Sequence, residues 1–108
     1  MKKILIVIAD YYEDISSSLL KSAKYELNNF PLKVIKVPGV FEIPVTISKN
    51  IKKYDAFIAL GCVIKGETPH FDFISSASTH AIMNLSVESK KPIGNGIITC
   101  LNMKQAKA

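Results

Sequence analysis

The sequence predicts an α/β fold, a three-layer αβα arrangement on a parallel sheet of four strands. Three observations predict it. Two apolar runs, Ile4–Ala9 and Ala56–Ile64, lack the polar alternation of a half-exposed strand, as expected of strands covered on both faces. Between the strands lie segments whose apolar residues recur at steps of three and four, the helical period. Prolines and glycines punctuate the joints. Strands alternating with helices in this way give a parallel sheet with right-handed crossovers and helices on both faces.

In chain order, the first strand is the β-branched run Ile4–Ala9. After the polar stretch 10–14, Ile15, Leu19, Leu20, Ala23, Leu27 and Phe30 fall on one helical stripe, with Asp14 as the expected N-cap. Pro31 is expected to end that helix and lead into a second strand, Leu32–Val37, after which Pro38 and Gly39 force a turn. Pro44 suits the first turn of a short helix carrying Val45, Ile47 and Ile51, where its missing N–H leaves no bond unmade. The third strand is Ala56–Ile64, followed by a loop over 65–69 and a helix over 71–87 holding Phe71, Ile74, Ala77, Ala81, Ile82 and Leu85. Pro92 leads to a fourth strand around 96–100. Asn102 and Gln105 outline a capping box for one more helix, which the chain enters as it reaches Ala108. The expected strand order is the flavodoxin-like 2-1-3-4, in a single domain over residues 1–108.

Composition narrows the function classes. A chain of 108 residues, 48% hydrophobic and 21% charged, is long enough to bury a core and is not the polar composition of a disordered chain. The apolar runs are too short to cross a bilayer, and the brief one behind Lys2 and Lys3 runs straight into Asp10, unlike a signal peptide. The expectation is a cytoplasmic protein. Cys62 and Cys100 form no metal-ligand spacing and are expected to sit reduced in strands. The net charge of +5 comes from scattered lysines with no arginine, a solvated surface rather than a nucleic-acid patch.

In open parallel sheets ligands sit outside the carboxyl ends of the strands, which singles out residues 10–14, 38–44 and 65–72. The third segment joins a strand to a helix start through Gly66, Glu67 and Thr68, and free N–H groups there with the Thr68 hydroxyl would suit a phosphate or carboxylate, although a plain turn explains Gly66 and Pro69 equally well. His70, in the first helical turn, would stay a neutral base beside the positive dipole end and suit proton transfer, against the alternative of a surface histidine. His80 has no such neighbourhood and is expected to face solvent. In the second segment Glu42 can accept hydrogen bonds from a polyol while main-chain groups of Val40 and Phe41 grip polar atoms; equally, Glu42 can simply favour the helix N-terminus that follows. In the first, Tyr11 or Tyr12 can stack on a flat heteroaromatic ring or pack half-buried.

Taken together, VPGVFEIP (37–44), GCVIKGETPHFDF (61–73) and NGIITCLNMKQA (95–106) resemble the lumazine synthase family, in the same order along the chain. The resemblance implies a transferase of riboflavin biosynthesis that condenses 5-amino-6-(ribitylamino)uracil with 3,4-dihydroxy-2-butanone 4-phosphate, using no metal or redox cofactor. It further implies that Tyr11 stacks on the ring, that Val40, Phe41 and Glu42 hold the ribityl chain, and that Cys62, Val63 and Ile64 present backbone groups to the pyrimidine edge. Glu67 and Thr68 would bind phosphate and His70 would transfer protons. Asn95 stands where many members carry a phenylalanine that reaches into a neighbouring subunit's site. The implied assembly is a homo-oligomer based on pentamers, with riboflavin synthase as a pathway partner and neither nucleic acid nor membrane involved. The family's phosphate-binding arginine and site lysine have no counterpart in 1–108, so a form lacking the C-terminal helices is expected, with the phosphate resting on Thr68 and helix-terminus N–H groups near Lys65. The rival readings are a non-catalytic remnant that folds, oligomerises or binds flavin-like rings, and a receiver-type domain, which Gly61, Cys62 and Val63 disfavour by standing where a phosphoacceptor Asp belongs.

Overall fold

The computed structural model describes residues 2–64 and 71–100. The elements run β1 (Ile4–Ala9), α1 (Glu13–Glu26), β2 (Leu32–Val37), a 3₁₀ turn (Val40–Glu42), α2 (Ile43–Lys49), β3 (Ala56–Ile64), α3 (Phe71–Ser89) and β4 (Ile93–Cys100). The four strands form one parallel sheet in the order β2-β1-β3-β4, as the alternation of strands and helices requires.

Both faces of the sheet are covered, which explains the unbroken apolar runs. On one face Leu5, Val7, Ala9, Phe57, Ala59 and Val63 pack with Val40 of the 3₁₀ turn, Ile43 and Ile47 of α2 and Ile82 of α3. On the other, Ile6, Ile8 and Leu60 meet Leu19, Leu20 and Ala23 of α1, while Ile15 joins Cys62 and Ile64. Every residue of the central β1 is buried, whereas in β2, at the sheet edge, Leu32, Val34 and Ile35 are half-buried and Lys33 and Lys36 are exposed. Charged side chains on an edge strand oppose its pairing with another chain.

Five boundaries differ from expectation. Helix α1 starts at Glu13 and its N-cap is Tyr12, so Asp14 lies inside the first turn rather than capping it. There, with Glu13, its charge faces the positive end of the helix dipole. The same helix stops at Glu26, well before Pro31, and Phe30 closes a turn onto the Leu27 carbonyl instead of continuing the stripe. Val45 is exposed and Ile51 lies beyond α2, leaving Ile43 and Ile47 to anchor it. Strand β4 begins at Ile93, directly after Pro92, because Phe57–Ile64 offers a pairing edge over that whole length. Helix α3 runs to Ser89 and ends at Lys90 in the left-handed conformation (φ 60°) usually given to glycine. Residues 102 and 105, the expected capping box, lie outside the described residues.

Candidate functional site

Strand β3 is nine residues long and β1 six, and the difference builds the site. Pairing with β1 stops at Ile8↔Leu60, whereas pairing with β4 continues to Ile64↔Cys100. The β1-side backbone edge of 61–64 therefore projects past the ladder at the carboxyl end of the sheet. The side chains of Cys62, Val63 and Ile64 are buried, so what this stretch can offer a ligand is main chain.

The turn Val40–Glu42 sits against that overhang. A Cβ placed on Gly61 would lie 2.8 Å from Val40 Cγ2, 3.3 Å from Ala9 Cβ and 3.8 Å from Ile43 Cδ1, so β1, the turn and α2 converge on one glycine. Val40 is a core residue by its side chain, 6% exposed, and its carbonyl accepts the Ile43 N–H. Phe41 and Glu42, by contrast, are exposed. The Glu42 amide donates to the Gly39 carbonyl at 3.2 Å, and its carboxylate folds back over that glycine, with Oε2 3.0 Å from where a Cβ would stand. Glu42 occupies the N-cap position of α2 without a side-chain capping bond, which leaves its carboxylate available for other hydrogen bonds.

The two tyrosines divide the roles left open between them. Tyr12 is half-buried against Ile15, Cys62 and Ile64, the packing role, while Tyr11 is 70% exposed. Their rings meet edge to face, centroids 4.8 Å apart at 88°, so the buried ring steadies the exposed one. Behind them the Ser16 hydroxyl, itself buried, donates to the Ala9 carbonyl at 2.7 Å and fastens the start of α1 to the end of β1.

Of the other expected site residues, Glu67, Thr68 and His70 lie outside the described residues. Asn95 is not brought to this cluster within one chain. It pairs level with Ala59, in the body of the sheet, and its Oδ1 accepts the Ile97 N–H at 3.0 Å on the edge strand β4. His80 is exposed on α3, as expected. A separate cavity of about 220 Å³ opens on the α1 face beside β2, lined by Asp10, Glu13, Ser17 and Lys36 among others, and none of the expected site residues lines it.

The family model for 6,7-dimethyl-8-ribityllumazine synthase matches residues 1–108, all of the chain. The chain belongs to that family. Among similar proteins, a 6,7-dimethyl-8-ribityllumazine synthase of Agrobacterium fabrum is 45% identical over 114 aligned residues, which cover 97% of this chain and 77% of the relative. One from Rhodopseudomonas palustris is 46% identical over 98% of this chain and 71% of its own length. A third, from Corynebacterium kroppenstedtii, is 41% identical over 96% and 67%.

In this lumazine synthase family member, the turn 40–42 seats on the end of β3, and Tyr11 stands beside Tyr12, which packs against Cys62 and Ile64 of the same strand end. Two contributors escaped the sequence reading. Gly61 stands in the sequence reading as the first residue of GCVIKGETPHFDF and as a position without an acidic residue, and its role as a contact point appears only once α2 is docked. Ser16 was part of a serine run, and a burial of this kind has no one-dimensional signal.

Proposed function

We propose that this chain works as the transferase of its family, condensing 5-amino-6-(ribitylamino)uracil with 3,4-dihydroxy-2-butanone 4-phosphate to 6,7-dimethyl-8-ribityllumazine. The observation that carries the reading is the family match over residues 1–108, which takes in all three strand-end segments. The geometry supports it: an exposed aromatic, an exposed carboxylate on a tight turn and a projecting strand edge share one corner.

In this reading Tyr11 stacks on the pyrimidine, the β3 edge at Cys62, Val63 and Ile64 reads its polar rim, and Glu42 with main-chain groups of Val40 and Phe41 holds the ribityl hydroxyls. Glu67 and Thr68 hold the phosphate and His70 moves protons as the amine attacks the ketone, phosphate leaves and the ring closes with loss of water. Holding two reactants in register is worth ~7 kcal/mol or more, against roughly 10²- to 10⁴-fold for acid–base help, so positioning is the larger part. Asn95 acts across a boundary between subunits of a pentamer-based homo-oligomer, in the cytoplasm, and the product passes to riboflavin synthase. Among the described residues no helix is long and apolar enough to cross a membrane, which fits that setting.

Incubating the purified protein with both substrates and following the fluorescence of the lumazine tests the reading. Product formation that needs both substrates is expected. A folded protein that binds the pyrimidine yet forms no product would overturn it.

A further inference from the structure

We propose that Gly61 is a positioning residue for the ribitylaminouracil site: its missing side chain lets the Val40–Glu42 turn seat directly on β3. The proposal rests on the reading of this corner as the pyrimidine and ribityl site. Gly61 is buried at the start of the strand overhang, and its absent Cβ points into the space filled by Val40 Cγ2, at 2.8 Å. Real Cβ atoms do not approach that closely, so an alanine forces something to move. Val40 is β-branched and stiff at χ1, and its methyl cannot swing aside cheaply. Nor can the new Cβ lean away, because Ala9 Cβ stands at 3.3 Å on β1 and Ile43 Cδ1 at 3.8 Å on α2. Strand β3 is held by β4 through Ile64↔Cys100, which leaves the short 3₁₀ turn as the part that yields.

That turn carries Phe41 and Glu42, and Glu42 is the group assigned to the ribityl hydroxyls. Moving it by a fraction of an ångström leaves the fold intact but misplaces the carboxylate relative to the β3 edge. The loss should fall on the pyrimidine substrate and spare the phosphate-bearing one.

The test is steady-state kinetics on the full chain, with product fluorescence read while each substrate is varied in turn. Gly61→Ala is expected to raise the KM for ribitylaminouracil about tenfold, with kcat and the KM for the butanone phosphate within about threefold of wild type. Val40→Ala in the same chain removes the clashing methyl and should bring that KM back to within about threefold of wild type. Phe57→Leu, at the far end of β3 and away from the site, serves as a variant that loses stability without losing affinity. If Gly61→Ala alone does not fold, the double variant carries the measurement, and recovery of folding and KM together supports the proposal. A wild-type KM in Gly61→Ala, a matching rise in Phe57→Leu, or no recovery in the double variant overturns it while the activity stands. A wild-type chain that makes no lumazine overturns the functional reading and this proposal with it.

Discussion

Replacing Ser16 with alanine isolates the bond that ties α1 to the end of β1. The Ser16 hydroxyl donates to the Ala9 carbonyl at 2.7 Å, and both residues are buried. Removing a donor from a buried acceptor costs about 1–3 kcal/mol, since water cannot replace it. Alanine returns about 0.5 kcal/mol through its higher helix propensity, so the expected net loss is about 0.5–2.5 kcal/mol. Ser18, on the same helix, is the internal control. Its hydroxyl donates to the Asp14 carbonyl at 3.2 Å in solvent, so Ser18→Ala should stay within about 0.5 kcal/mol of wild type. Both variants gain the same propensity, and their difference therefore reports burial. Urea unfolding followed by circular dichroism, at one fixed protein concentration to hold any association constant, measures that difference. Equal midpoints at equal slopes for the two variants would refute the reasoning.

Three further outcomes are expected. Tyr11→Ala should raise the KM for ribitylaminouracil about fivefold, the equivalent of ~1 kcal/mol of lost ring stacking. Because Tyr11 is 70% exposed, its unfolding midpoint should hardly move, and a large fall would show that the ring packs instead of binding. His70→Ala should slow turnover by about 10²- to 10⁴-fold without abolishing it, and complete loss with unchanged substrate binding would contradict a modest acid–base role. Lys91→Met should cost about 1.5–3 kcal/mol in urea unfolding, because the Lys91 ammonium donates to the Ile51 carbonyl at 2.5 Å and the Tyr54 carbonyl at 2.8 Å. Methionine keeps the apolar stem, so an unchanged midpoint would mean that water satisfies both carbonyls as well as the lysine does.

The fold was legible because its signals are local and agree. Unbroken apolar runs mark strands covered twice, and the two central strands bear this out, while β2, at the edge of the sheet, is less buried and carries two exposed lysines. The misplaced boundaries fail for an equally local reason. Helix α1 lacks a capping serine, threonine or asparagine at its true start, and its acidic pair lies within the first turn. The end of α3 uses a lysine where a glycine would have announced it. The start of β4 is set by its partner, since Gly94 and Asn95 have little strand propensity and join because β3 supplies their hydrogen bonds.

The candidate site was legible to the extent that strand ends are. The two run lengths, Ala56–Ile64 and Ile4–Ala9, were legible, but that the surplus falls at the carboxyl end of the sheet follows from the register that sets Ile4 level with Ala56. Which groups that corner uses was not countable. Val40 and Phe41 are neighbours of similar hydrophobicity, yet one faces Gly61 and the core and the other faces solvent, a division set by the hand of a single 3₁₀ turn. Tyr11 and Tyr12 divide in the same way, through the turn that starts α1. In both pairs the buried member fixes where the exposed one points. A substitution at Tyr12 should therefore reach the substrate through Tyr11, without any contact of its own.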